Sequence, residues 1–231
     1  MKIAKVLMER KRKAIIVAGG KGERMKTTVP KQFLMMDEKP LLMHTIHRFY
    51  QYDERMEILL VLPENQINYW NELCEKYGFS IHHQVIAGGE TRFHSVKNAL
   101  DVIREECLIA VHDGVRPLVD AATIERCFSK AEKEGTAIPC VDLVDSIREV
   151  TENSNVSLDR KNYKLVQTPQ VFQSGILIDS YARAANRQFT DDASVVEAAG
   201  YPIHLVEGNR MNIKITNPFD LKVAELLMKE K

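Results

Sequence analysis

Apolar positions along this chain follow two alternating patterns. Short continuous runs, Ile15-Ile16-Val17, Ile58-Leu59-Leu60-Val61-Leu62, Leu108-Ile109-Ala110-Val111 and Ala137-Ile138-Pro139-Cys140-Val141, have the length and branched content of strands buried on both faces. Pro139 has no N–H to give a ladder, which predicts an edge or an irregularity in the last of them. Between the runs, apolar residues fall at helical spacing. Leu41, Leu42, Thr45, Ile46 and Phe49 follow Pro40, Val96, Ala99, Leu100 and Ile103 follow Ser95, and Ile124, Cys127 and Phe128 follow Thr123. Repeated strand–helix alternation predicts an α/β fold, a mostly parallel sheet flanked by helices. No repeat, low-complexity tract or linker divides the chain, so residues 1–231 read as one domain. One segment breaks the alternation. Residues 142–168 carry a polar turn, Thr151-Glu152-Asn153-Ser154-Asn155, between β-like pieces at 147–150 and 163–166, which predicts an inserted hairpin or arm.

Composition narrows the class. The chain has 231 residues, 45% of them hydrophobic and 28% charged, as in globular domains. Lys plus Arg and Asp plus Glu balance at 32 each, which argues against a general nucleic-acid or membrane-surface binder. Cys74, Cys107, Cys127 and Cys140 show no metal-ligand spacing, and Cys107 and Cys140 sit in apolar strand-like runs, so a reduced, cytoplasmic setting is expected. Residues 1–13 lack the apolar core of a signal peptide, and no run approaches the ~20 apolar residues of a spanning helix.

Candidate chemistry lies at the strand ends. After Ile15-Ile16-Val17 come Gly19, Gly20 and Gly22, then the cations Lys21, Arg24, Lys26 and Lys31. Glycines let backbone N–H groups approach an anion closely, so this order suits a polyanionic ligand. The pattern is not a P-loop, because Glu23 follows Gly22, and not a dinucleotide fingerprint, because Met25 stands at its third glycine. Two further ends are polar or glycine-rich, Gly88-Gly89-Glu90-Thr91-Arg92 and His112-Asp113-Gly114-Val115-Arg116-Pro117. In open α/β sheets ligands bind outside the carboxyl ends of the strands, so the three ends form one candidate site.

Taken in order, these segments resemble the 2-C-methyl-D-erythritol 4-phosphate cytidylyltransferases of the non-mevalonate isoprenoid pathway. The resemblance rests on Ala18 to Met25, Pro30-Lys31-Gln32, Gly88 to Arg92 with Ser95, and His112 to Pro117. It continues through Leu158-Asp159-Arg160, Gln167-Thr168-Pro169-Gln170, Thr190-Asp191-Asp192-Ala193-Ser194, Val206-Glu207-Gly208 and Asn212-Ile213-Lys214. It covers the chain from about residue 14 onward. The first loop reads Val-Ala-Gly-Gly where many members have Pro-Ala-Ala-Gly, a feature shared with ribitol 5-phosphate cytidylyltransferases. Asp159-Arg160 and the 190–194 segment fit the methylerythritol enzymes better.

The resemblance implies a Rossmann-like nucleotidyltransferase fold whose β-arm clasps a second subunit, and hence a homodimer. It implies transfer of CMP from CTP to a sugar-alcohol phosphate. Arg24 and Lys31 are then expected to brace the triphosphate and Lys214 to stabilise charge at the α-phosphate. Gly20 and Gly22 are expected to supply backbone N–H groups, and Asp113 to be the ligand of Mg²⁺. Cytosine recognition is expected at Ala18, Gly19, Gly89, Glu90 and Ser95. Arg116, Thr168 and Thr190 are expected to meet the acceptor, with Ser146 and Arg160 supplied by the arm of the second subunit. His112 is left as structural, because this chemistry needs no protein base. A non-catalytic nucleotide-binding module is the competing class. The presence of both poles, the cations Arg24, Lys31 and Lys214 with the anion Asp113, argues against it.

Overall fold

The apolar runs become strands because each has residues to bury on both sides. In β1 (Lys11–Val17), Ala14 and Ile16 enter one core cluster while Ile15 and Val17 face another. β4 (Glu57–Leu62) and β6 (Cys107–Asp113) divide in the same way, with Leu60 and Ala110 on the first side and Val61 and Ile109 on the second. A computed structural model of the chain describes residues 10–19, 29–184 and 189–229. The expected positions Gly20, Gly22 and Arg24 lie outside the described residues.

The remaining strands are β2 (Met35–Met36), β3 (Lys39–Pro40), β5 (Gln84–Ala87), β7 (Thr136–Asp142), β8 (Ile147–Val150), β9 (Asn155–Leu158), β10 (Lys164–Val166), β11 (Gln170–Gln173) and β12 (Leu205–Glu207). The helices are α1 (Leu41–Tyr52), α2 (Ile67–Tyr77), α3 (Arg92–Leu100), α4 (Ala121–Glu134), α5 (Ser174–Arg183), α6 (Asp192–Ala198) and α7 (Pro218–Lys229). Eight strands form the main sheet. β5, β4, β1 and β6 run parallel, and β11 then joins β6 antiparallel. β7 pairs with β11, β10 and β12. This mixed but mainly parallel sheet, with helices on both faces, is the predicted α/β fold. Side chains of α1, α2 and α4 fill the core on one face and those of α3, α5 and α6 on the other.

Some local expectations change. α3 starts at Arg92 and not after Ser95, because Thr91 caps it by accepting the His94 amide. α4 starts at Ala121, because the Asp120 carboxylate takes the Thr123 amide. The polar turn joins β8 to β9, pairing Ile147 with Leu158 and Val150 with Asn155. The piece at 163–166 is not the hairpin's partner. It returns as β10 to pair with β7. Pro139 marks an irregularity and not an edge: β7 is paired along its length, and its neighbour breaks between β10 and β11, where Gln167 donates to the Pro139 carbonyl.

Candidate active site

Three strand ends and one C-terminal segment converge on a cleft of about 220 Å³. At the end of β1 the chain turns through Ala18 and Gly19. Ala18 donates to the Val61 carbonyl, which ties this turn to β4. Gly114, just past β6, donates to the Val17 carbonyl, and a Cβ there would sit 2.9 Å from that of Ala18. Only a glycine allows the two ends to approach so closely.

The second wall is the turn from β5 into α3. The Ser95 hydroxyl accepts from the Gly89 amide at 3.1 Å and donates to the Thr91 carbonyl at 2.9 Å, which folds the turn back over the first turn of α3. A Cβ on Gly89 would lie 2.4 Å from the His94 Cβ. Gly89, Glu90 and Ser95 line the cleft.

Lys31 reaches the cleft from a short 3₁₀ turn, Lys31–Phe33. Its two following residues anchor it. Phe33 is buried against Tyr69 and Trp70, and Gln32 donates to Gln66 at 2.6 Å. Lys214 is set similarly, in an extended segment pinned by buried Asn212 and by Ile215, whose amide donates to the Val115 carbonyl.

Asp113 sits at the centre. Its Oδ2 lies 3.0 Å from Lys214 Nζ and 3.2 Å from Arg116 Nε, while its Oδ1 faces Arg92 Nε at 3.9 Å. Burial by itself raises the pKa of this carboxyl. Lys214, Arg92 and Arg116 outweigh that and hold it well below the usual carboxylate range. Arg92 is fixed from behind by Asp192, whose side chain is fully buried, at 2.6 Å. Lys214, Arg116 and Arg92 offset Asp113, Asp192 and the cleft residue Glu90, and Lys31 then leaves the balance positive.

Beneath Asp113 lies a polar relay. The Asp113 amide donates to Thr168 Oγ1 at 3.1 Å, and that hydroxyl contacts His112 Nδ1 at 3.0 Å. His112 Nε2 lies 3.1 Å from the Arg116 carbonyl, so the ring carries its proton on Nε2 and accepts from Thr168 on Nδ1. Burial lowers the His112 pKa to about 4, so the ring is neutral at pH 7. A histidine held neutral favours folding fully above its unfolded value, near 6.5, and that contribution is lost as pH falls toward the folded value. Between pH 7 and pH 5 the His112 contribution should fall by about 2 kcal/mol. Urea midpoints of the wild type and His112→Gln, compared at both pH values, measure it. An equal fall in the two proteins removes His112 as the cause.

Comparison with known proteins supplies the deciding observation. The family model for 2-C-methyl-D-erythritol 4-phosphate cytidylyltransferase matches residues 13–230. The chain belongs to this family. A Bacteroides fragilis cytidylyltransferase of that name is 53% identical over 94% of this chain and 99% of its own length. The Porphyromonas gingivalis W83 protein is 50% identical over 96% and 99%. The Thermus thermophilus cytidylyltransferase structure has a TM-score of 0.78 at 31% identity, covering 96% of this chain and all of that one. The Anaerococcus prevotii 4-diphosphocytidyl-2C-methyl-D-erythritol synthase, at 23% identity and a TM-score of 0.82, shares the fold.

For a cytidylyltransferase, the expected residues fall into three groups in space. Ala18, Gly19, Lys31, Gly89, Glu90, Ser95, Asp113 and Lys214 share the cleft. Arg116 and Thr168 stand behind Asp113, occupied by protein partners: Arg116 donates to the Asn212 carbonyl at 2.8 Å, and Thr168 is engaged as above. Thr190 is exposed just before α6, and Ser146 and Arg160 lie exposed on the arm, away from the cleft. Arg92, Thr91 and Gln32 line the cleft without having been singled out for a role, and Asp192 supports it. The first three belong to the quoted motifs. Nothing local marks Arg92 and Asp192 as partners, because they are a hundred positions apart. Among the described residues, no helix is long and apolar enough to cross a membrane.

Proposed function

We propose that this cleft transfers CMP from CTP to 2-C-methyl-D-erythritol 4-phosphate, giving 4-diphosphocytidyl-2-C-methyl-D-erythritol and pyrophosphate in isoprenoid precursor synthesis. The observation that carries the site assignment is the carboxylate of Asp113, ringed by Lys214, Arg116 and Arg92 in a cleft whose other walls are the Ala18-Gly19 and Gly89-Glu90 turns and Lys31. An acceptor phosphate oxygen forms the new bond to the α-phosphorus as the bond to the β-phosphate bridging oxygen breaks, and the electron pair leaves with pyrophosphate. Charge grows on oxygens only, so fixed cations and positioning suffice, and no side chain is asked to act as nucleophile. Lys31 and Lys214 face the triphosphate.

The donor set fits Mg²⁺. This ion needs one or two carboxylates plus phosphate oxygens, and Asp113 Oδ1 carries no close hydrogen bond among the described residues. Among the described residues no group of three His, Cys, Asp or Glu is placed to hold a metal, so phosphate oxygens and water would supply the remaining ligands. When bound, the ion neutralises charge on the triphosphate. Arg116 and Arg92 keep Asp113 ionised and oriented for it.

Pyrophosphate release from CTP, assayed with methylerythritol phosphate and separately with ribitol 5-phosphate, tests the reading. The first acceptor should be used and the second poorly, and the reverse order overturns the acceptor assignment. Recognition of cytosine by backbone groups at Ala18, Gly19 and Gly89 should favour CTP over UTP, whose 4-oxo group accepts where the amino group donates. That mismatch is expected to cost about ten- to a hundredfold in kcat/KM. Equal turnover of the two nucleotides would remove the base from the specificity.

The same reading makes the enzyme a homodimer. β8 and β9 form a two-stranded sheet of their own, and Val144, Val150 and Val156 on the arm are 62%, 75% and 57% exposed. A lone hairpin is marginal in water, and a second arm would cover this apolar surface and bring Ser146 and Arg160 to the partner's acceptor site.

A further inference from the structure

Asp113 presents two unlike oxygens. Oδ2 is claimed by Lys214 and Arg116, whereas Oδ1 has only Arg92 nearby among the described residues, at 3.9 Å, beyond a hydrogen bond. Arg92 stays back because its terminal nitrogen is bonded to Asp192 at 2.6 Å. Asp192 is itself fixed. It is fully buried, its other oxygen accepts the Tyr181 hydroxyl at 2.7 Å, and the Tyr181 ring stacks on Phe93 with centroids 4.7 Å apart. A guanidinium beside a partly buried carboxylate would otherwise close on it in a charge-assisted pair.

We propose that Asp192 is a positioning residue that holds Arg92 back from Asp113 and so reserves Asp113 Oδ1 for the divalent cation. The inference rests on Asp113 being the metal ligand. Arg92 then has two effects: it lends positive charge to the site, and it stays far enough from Oδ1 to leave a coordination position. Arg92, at the start of α3, lines the cleft, and its partner Asp192, at the start of α6, is fully buried.

The test compares binding of Mn–CTP with binding of metal-free CTP, acceptor absent. Water-proton relaxation enhancement reports the first and calorimetry the second. The ratio of the two affinities cancels any general change in phosphate attraction. Asp192→Asn should lower this ratio about tenfold, because Arg92 closes on Oδ1. The double variant Asp192→Asn/Arg92→Gln, a neutral hydrogen-bonded pair, should restore the ratio to within about threefold of wild type. A residue with a merely structural role would lower stability without moving the ratio or giving this recovery. If Asp192→Asn does not fold, Tyr181→Phe, which leaves the Asp192 carboxylate free to turn, should lower the ratio in its place. An unchanged ratio in the folded single variant, or a double variant as low as the single, overturns the inference. Asp113→Asn separates the two levels: if it leaves the ratio at the wild-type value, the metal assignment fails and the inference with it. If it lowers the ratio, any failure belongs to Asp192 and Arg92 alone.

Discussion

Replacing Lys214 by methionine should lower kcat by about 10²- to 10³-fold while changing the affinity for CTP far less. Of the three cations around Asp113 it is the most exposed, at 42% against 26% for Arg92 and 11% for Arg116. Arg92 is held by Asp192 and Arg116 by the Asn212 carbonyl, so both remain in place when the site fills. Lys214 has no such second anchor among the described residues, and it is the cation able to follow charge onto the α-phosphate as that charge develops. A cation acting mainly in the transition state appears in kcat and leaves ground-state binding nearly intact. The fold should tolerate the change, because Asp113 keeps two guanidinium neighbours and Lys214 is partly solvated. Single-turnover rates with saturating CTP and acceptor measure the effect. Turnover near wild type would take Lys214 out of the mechanism, and a loss confined to CTP affinity would make it a ground-state ligand. Lys31→Met should behave alike.

Mixing two inactive proteins, Arg160→Ala and Lys31→Met, should restore activity. Arg160 is exposed on the arm, where its guanidinium donates to the Val144 carbonyl, and Lys31 lies in the cleft of the same chain. If the arm completes the partner's site, a mixed dimer has one site with both defects and one with neither. It should show about half the activity of a wild-type dimer, the division expected of a two-fold assembly. Arg160 suits an acceptor phosphate because its planar fork can bind two oxygens at once. Subunit exchange is checked with tagged chains. Exchange without recovery, or a fully active monomer, would return Arg160 to its own subunit's surface.

Much of the fold was legible in the chain. Ile58 to Leu62 and Leu108 to Val111 read as doubly buried strands because hydrophobic burial acts position by position, and a run with no polar face has only that solution. The three strand ends were legible as a site for the same reason: glycine and charge stand where the apolar runs stop. Helix starts were less so. Thr91 and Asp120 act as caps through side-chain oxygens, and the periodicity of buried residues alone placed α3 and α4 a few residues late. The arm was recognised, but its pairing was not. Residues 163–166 and 155–158 have similar β character, and what separates them is that β7 offers an edge to one and β8 to the other.

By itself the sequence determined the alternation of strands and helices, the glycine turns, and which residue types stand ready for a polyanionic ligand. These are local consequences of side-chain shape, polarity and backbone freedom. Only the tertiary structure decided how the charges pair. Asp113 meets Arg92, Arg116 and Lys214, Arg92 meets Asp192, and Thr168 bridges the Asp113 amide and His112. Coulomb energy and hydrogen bonding depend on distances of a few ångströms between residues that lie far apart in the chain, as Asp113 and Lys214 do. Such distances exist only once the sheet has brought its strand ends together.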